Sequence, residues 1–276
     1  MQGLGNDFMV IDRISHPVEL TPAQIRQLAD RHFGVGFDQL LLVDPPTTAD
    51  ADFNYRIFNA DGSEVEHCGN GARCFARFVL DKGLAVRTPI RVRTSNRLLE
   101  LAIESGGVRV DMGEPDFDPA ALPFAAEAAK RYTLDVCFNG ENRRQEFFAV
   151  SVGNPHIVLL VDDVETAPVQ ALGAVLLAHP TFPQGVNVGF MQCLDRRTIR
   201  LRVYERGVGE TIACGTGACA AVACGIAAGL LDQQVDVQLR GGSLMISWAG
   251  PGQSIMMCGP ATTVFEGNVE LIRGNP

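Results

Sequence analysis

Two stretches of this chain carry one pattern. "EHCGNGARCFARFVLDKGL" (residues 66–84) and "IACGTGACAAVACGIAAGL" (residues 212–230) each run Cys-Gly-x-Gly-Ala, and each closes on a Gly-Leu pair 15 residues after the cysteine. The match extends upstream at the same spacing of 146 residues, where "YRIFNADGSEVEHCGNG" lies over "LRVYERGVGETIACGTG". Arg56 then falls on Arg202, Phe58 on Tyr204, Asn59 on Glu205, Glu64 on Glu210 and Cys68 on Cys214. Earlier landmarks recur in the same order: "GNDFMVID" (5–12) with "GNPHIVLL" (153–160), and "GFDQLLLV" (36–43) with "GVNVGFMQ" (185–192). A period this long is not that of a solenoid. It predicts two similar domains related by a pseudo-two-fold axis.

Local patterns give each half the same content. "TPAQIRQLADRH" (21–32) reads as a helix with a Thr cap, Pro at its first position and Gln three residues after the cap. "PVQALGAVLLAH" (168–179) occupies the matching slot. Thirteen apolar or alternating runs, from "FMVID" to "LMISW", read as strands. Asn139-Gly140 between two of them is a hairpin signal. Pro115, Pro119 and Pro123 mark the boundary between halves. Each half is therefore mainly β with two helices, the second beginning at the repeated cysteine.

Net charge and cysteine usage narrow the function classes. At −9, with no basic run longer than "NRR", the chain lacks the clustered Lys and Arg that neutralise phosphates, so no nucleic-acid partner is expected. The opening "MQGLGNDFMV" has neither a positive n-region nor an apolar h-region, which points to a cytoplasmic protein. Residues 213–231 carry no charge, but their Ala and Gly supply too little transfer free energy for a membrane span. A central helix wrapped closely by other elements explains such small side chains better. Eight cysteines without an export signal imply reduced thiols. There is no Cys-x-x-Cys, and Cys214, Cys219 and Cys224 step by five around a helix, so no metal site is expected.

Cys68 and Cys214 stand apart from the other cysteines. Each follows a strand and a turn and sits where a helix begins. Unpaired N–H groups and the helix dipole there favour an anion. A thiol at such a site can fall from about 8.5 toward 7, which is worth roughly 2 kcal/mol. The following glycines let backbone amides approach a carboxylate. Two equivalent thiols suit the inversion of a carbon centre, where one proton leaves one side and another arrives on the opposite side. Cys74, Cys137, Cys193, Cys219, Cys224 and Cys258 are read as buried structural thiols, and His16, His32, His67 and His179 as structural histidines.

The sequence closely resembles the diaminopimelate epimerase family. The resemblance rests on "GLGNDFMVID", "GVGFDQLL", "FNADGSEVEHCGNGARC", "VSVGNPHIV", "NVGFM" and "YERGVGETIACGTGACA", spread over almost the whole chain. It implies an α+β fold of two pseudo-symmetric domains, each a strongly curved, mainly antiparallel sheet wrapped around a central helix. The domains would be 1–114 and 115–260, with a final strand at about 261–273 returning to the first. The active site would lie in the cleft between them, with no cofactor. Cys68 and Cys214 would be the acid/base groups, assisted by His156 and Glu205. Amides of Gly69, Asn70, Gly215 and Thr216 would hold the reacting carboxylate. Asn6, Gln39, Asn59, Asn154, Asn187 and Arg206 would line the pocket of a small diamino dicarboxylic acid, with Arg206 on the distal carboxylate. The sequence leaves open whether the chain forms a homodimer.

Three alternatives compete with that reading. A proline or hydroxyproline racemase would have little use for Asn59, Asn187 and Arg206. A Cys-His hydrolase built on Cys68 and His156 would leave Cys214 and the duplication without a role. A module that only binds amino acids would not exchange an α-proton with solvent.

Overall fold

The computed structural model describes residues 1–65, 68–122, 124 and 126–271; His67 and Pro123 lie outside these. The chain divides into two units, Met1–Val110 together with the chain from Gly259 onward, and Asp111–Cys258.

The first unit contains strands β1 (Gln2–Gly3) and β2 (Asn6–Asp12), helix α1 (Pro22–Ala29), strands β3 (Gln39–Asp44), β4 (Phe53–Asn59) and β5 (Glu64–Val65), helix α2 (Gly69–Asp81), and strands β6 (Ile90–Arg93), β7 (Leu98–Glu104) and β8 (Gly107–Asp111). Neighbours pair antiparallel, except β2 with β3 and β4 with β6, which run parallel. A parallel pair needs a crossover, and α1 and α2 are the crossovers. Helix α1 begins on a capping box: Gln24 N donates to Thr21 Oγ1 at 3.3 Å, and Thr21 N donates to Gln24 Oε1 at 3.0 Å. Its Ile25, Leu28 and Ala29 are buried against Leu40, Leu42 and Phe58.

The second unit repeats this plan. Strands β9 (Tyr132–Phe138), β10 (Glu141–Ser151) and β11 (Pro155–Leu160) lead to helix α3 (Val169–Leu177) and strands β12 (Asn187–Cys193), β13 (Thr198–Glu205) and β14 (Gly209–Thr211). Helix α4 (Gly215–Ala227) follows, then β15 (Gln234–Leu239), β16 (Gly242–Ser247) and β17 (Met256–Gly259). The parallel pairs are β11 with β12 and β13 with β15, at the positions equivalent to those of the first unit. Asn139 and Gly140 form the tight turn between β9 and β10, both at positive φ (54° and 80°), as a type I′ hairpin requires.

Each central helix is enclosed by its own strands. Helix α2 packs on β1, β2, β3 and β7, and α4 on β10, β11, β12, β13 and β16. The uncharged run at 213–231 is explained by this enclosure: Ala218 through Cys224 are buried, and larger side chains would not fit under five strands. No helix among the described residues is long and apolar enough to cross a membrane.

Three expectations need correcting. The anticipated strand at 261–273 is not a strand over its described part. Only Thr262 pairs, exchanging backbone hydrogen bonds with Gln2 at 2.8 and 2.9 Å, and Val264, Phe265 and Val269 are exposed. Leu271 packs against the α1 cluster. The chain passes from one unit to the other after Val110 and again after Cys258, not after residues 114 and 260. Cys137 and Cys193 are exposed, because Cys137 occupies an outward position of the alternating strand β9 and Cys193 ends β12. Cys74, Cys219 and Cys224 are buried as expected, Cys258 is half-buried, and none of the eight is joined in a disulfide.

Candidate active site

A bidentate ion pair orients each approach to a repeated cysteine. Arg56 on β4 holds Glu64 on β5 through Nε and Nη2, both at 2.9 Å. Arg202 on β13 holds Glu210 on β14 in the same way at 2.7 and 3.0 Å. The repeat-matched Arg and Glu thus clamp equivalent β-arms, and each arm leads into its cysteine.

In both units the cysteine is the N-cap residue of the central helix. Cys68 (φ −143°, ψ 115°) and Cys214 (φ −126°, ψ 108°) have extended backbones. Each sulfur accepts from the amide three residues on, Gly71 N at 3.5 Å and Gly217 N at 3.4 Å. This is the hydrogen bond a capping oxygen would normally accept, made here by sulfur.

The glycines at these positions have a further cause. A Cβ on Gly71 would stand 2.3 Å from the hydroxyl of Tyr55, a fully buried side chain of β4, and one on Gly217 would stand 2.9 Å from Val203 Cγ2. Gly71→Ala should therefore destabilise the protein by about 1–3 kcal/mol. The Tyr55 hydroxyl has no hydrogen-bond partner, so Tyr55→Phe should restore much of the loss when combined with Gly71→Ala. Denaturant midpoints of the two single variants and the double variant check this; additive effects would show that the hydroxyl is not the obstacle.

In the first unit Cys68 Sγ donates to Asn6 Oδ1 at 3.8 Å, and Asn70 Nδ2 donates to the same oxygen at 3.4 Å. Gln39 and Asn59 face each other across β3 and β4, with Gln39 Nε2 donating to Asn59 Oδ1 at 3.0 Å. Asn59 Nδ2 donates to Ser63 Oγ at 3.2 Å.

In the second unit Cys214 Sγ lies 3.6 Å from Thr216 Oγ1. His156 Nε2 is 3.0 Å from the same hydroxyl and 3.1 Å from Asn154 Oδ1, and Asn154 Nδ2 donates to Thr216 Oγ1 at 3.4 Å. Glu205, at the end of β13, accepts from the Thr211 hydroxyl and is an electrostatic neighbour of the Cys214 thiol. Asn187 is buried and serves as a brace. Its Oδ1 accepts from Arg206 N at 2.9 Å and its Nδ2 donates to the Pro155 carbonyl at 3.0 Å. Arg206 Nη1 donates to the Gln184 carbonyl at 2.9 Å.

Burial outweighs the helix start at Cys214. Desolvation pushes the thiol well above its ordinary value and the neighbouring Glu205 charge adds to this, while Thr216 and the Gly217 amide pull the other way. The expected lowering is thus reversed here, because the sulfur is shut away from water. Burial also raises Glu205, against the opposing pull of Thr211 and Cys214. Burial, with the Arg206 charge second, lowers His156 from 6.5 to about 3, so its imidazole is neutral.

The unfolded chain therefore binds a proton at His156 below pH 6.5 that the folded protein refuses until about pH 3. Stability from this group is present above pH 6.5 and is lost progressively as pH falls. His156→Asn should flatten the acid limb of stability, read as the urea midpoint at pH 7, 6 and 5. An identical limb in both proteins would place the acid sensitivity elsewhere.

The structure thus groups Asn6, Asn70 and Cys68, pairs Gln39 with Asn59, and joins Asn154, His156, Glu205, Thr216 and Cys214 in one network. Sequence reasoning missed Thr211, Gln184, Tyr55 and Asp38. Only Asp38 left a signal, since it falls on Asn187 when residues 36–43 are laid over 185–192. Among the described residues no group of three or more His, Cys, Asp or Glu could hold a metal ion.

The fold is one shared with solved structures of epimerases and related proteins. A hydroxyproline epimerase from Agrobacterium vitis superposes with a TM-score of 0.64 at 16% identity, covering 94% of this chain and 87% of that one. A phenazine biosynthesis protein of the PhzF family from Bacillus anthracis gives 0.62 at 17% identity, covering 94% and 92%. The model of the diaminopimelate epimerase family matches residues 1–117 and 148–264. The diaminopimelate epimerase of Stutzerimonas stutzeri is 58% identical over 273 residues, 98% of each chain. That of Cupriavidus taiwanensis is 55% identical over 276 residues, 98% of this chain and 96% of its own. The chain belongs to the diaminopimelate epimerase family.

Proposed function

We propose that this chain interconverts LL- and meso-diaminopimelate by passing protons through Cys68 and Cys214, without a cofactor, in lysine and peptidoglycan precursor synthesis. The observation that carries the two-thiol part is the repeated cap: each unit places a cysteine at the start of its central helix, with its sulfur held by the amide three residues on. Inversion needs one group to remove the α-proton as another supplies a proton from the opposite side. Free N–H groups at each helix start, those of Gly69 and Asn70 or of Gly215 and Thr216, suit the reacting carboxylate and the negative charge that grows beside it. The Glu205 charge acts on the Cys214 thiol, so it is placed to steer that thiol. His156 is neutral, and its Nδ1 is buried without a partner, a site for a donor on the substrate or a thiol. Arg206 offers two parallel donors to the distal carboxylate.

The test is proton NMR of LL-diaminopimelate with the protein in deuterated water. Loss of the α-proton signal together with appearance of the meso isomer is expected. Exchange with retained configuration would overturn the two-base reading, and the absence of both would overturn the assignment to this substrate.

A further inference from the structure

Asn6 meets Cys68 through one end of its amide only, and a residue outside the expected site decides which end. Asn6 Nδ2 lies 2.9 Å from Asp38 Oδ2. A carboxylate oxygen can only accept, so the NH2 group must point to Asp38 and Oδ1 must point to Cys68 and Asn70. Asp38 is itself fixed. Arg31 Nη2 donates to its Oδ1 at 2.7 Å, and the Asp7 amide donates to its Oδ2 at 3.2 Å. Arg31 also holds Asp7 through two bonds, at 2.8 and 2.9 Å, and Asp7 Oδ1 accepts from Asp38 N at 2.7 Å.

We infer that Asp38 is a positioning residue for the proposed reaction: by locking the Asn6 amide it presents Cys68 with an acceptor, and so favours the protonated thiol over the thiolate. The inference rests on Cys68 being one of the two proton carriers. The second unit has no equivalent lock. Asn187 stands at the Asp38 position there, and its amide braces Arg206 and Pro155 instead. Asn154, at the Asn6 position, turns to Thr216 and His156. The two thiols therefore differ in their polar surroundings although the repeat makes them equivalent in sequence.

Other ionisable groups around Cys68 in this unit are Tyr55 on β4 and Arg73 and Cys74 on α2, besides the Asp7–Arg31–Asp38 cluster. Removing the Asp38 charge could act on Cys68 through the field alone, and Asp7→Asn is the control. It removes the same charge from the same cluster and leaves the acceptor of Asn6 in place.

The experiment is iodoacetamide labelling of the full chain at pH 7, with Cys68 and Cys214 followed separately by peptide mass spectrometry. In Asp38→Asn the amide of Asn6 is free to turn its NH2 toward sulfur. Cys68 should then label about three- to tenfold faster, since the thiolate is the reactive form. Cys214 should label at its original rate, which also checks folding. Asp38→Glu keeps a carboxylate and should return Cys68 toward the original rate. Equal acceleration in Asp7→Asn and Asp38→Asn would reduce the effect to charge and overturn the lock, as would an unchanged Cys68 rate in Asp38→Asn. The labelling outcome stands apart from substrate identity, so failure of the lock and failure of the proposed epimerase reading are distinguishable.

Discussion

Cys68→Ala and Cys214→Ala are each expected to reduce inversion of LL-diaminopimelate by at least about a thousandfold. One positioned acid or base contributes on the order of 10² to 10⁴ in rate, and inversion needs both groups at once. Neither change should unfold the protein. Each cysteine contributes one cap bond from a glycine amide, and losing a cap costs about 1 kcal/mol. Serine replacements should be nearly as damaging, because a hydroxyl gives up its proton far less readily than a thiol. Rates come from the NMR assay, with thermal unfolding run in parallel. Near-normal inversion in either alanine variant would remove that cysteine from the proton path.

Arg206→Met should lower kcat/KM for diaminopimelate by about thirtyfold to a few thousandfold, the equivalent of about 2–5 kcal/mol for a lost charged contact that bound substrate would cover. The geometry makes the test clean. Arg206 is held at its backbone by Asn187 Oδ1 and at its guanidinium by the Gln184 carbonyl. Gly185 keeps φ at +71°, and a Cβ there would come within 3.0 Å of Arg206 Cδ. Methionine keeps the backbone anchor and most of the side-chain length, and loses the donors. An amino acid with a single carboxylate should lose little by the change. Equal losses for one- and two-carboxylate substrates would argue that Arg206 acts on structure and not on the distal group.

The duplication made most of the fold readable. Two copies of one plan gave the strands and helices of each half and the cysteine at each helix start, because each rests on short-range chemistry. A Thr cap with Gln after it, an Asn-Gly turn and alternating apolar runs are decided within a few residues. Features decided at long range were not readable. Arms as short as β5 and β14 have too few residues to show a period. Gly71 looked like a ligand-approach glycine, and the hydroxyl that also requires it belongs to Tyr55 on another element. The rise at Cys214 depends on complete burial, which the helix-start argument alone does not contain. The strand in the return segment after Gly259 came from the family resemblance and from no pattern in the residues, and Val264, Phe265 and Val269 are exposed there.

The order in which the two units can be completed during synthesis follows from how the chain is divided between them. The second unit is one uninterrupted stretch, Asp111–Cys258, so all of it is available once that stretch has left the ribosome. The first unit is begun earlier and finished later. Its fully buried Arg73 donates to the carbonyl of Pro260 at 3.1 Å, and its strand β1 pairs with Thr262. Until Pro260 emerges, the Arg73 guanidinium lacks one of its acceptors, and a lost acceptor for a buried charge is costly. The half begun first therefore waits until Pro260 and Thr262 have been made. The half made second can settle before it.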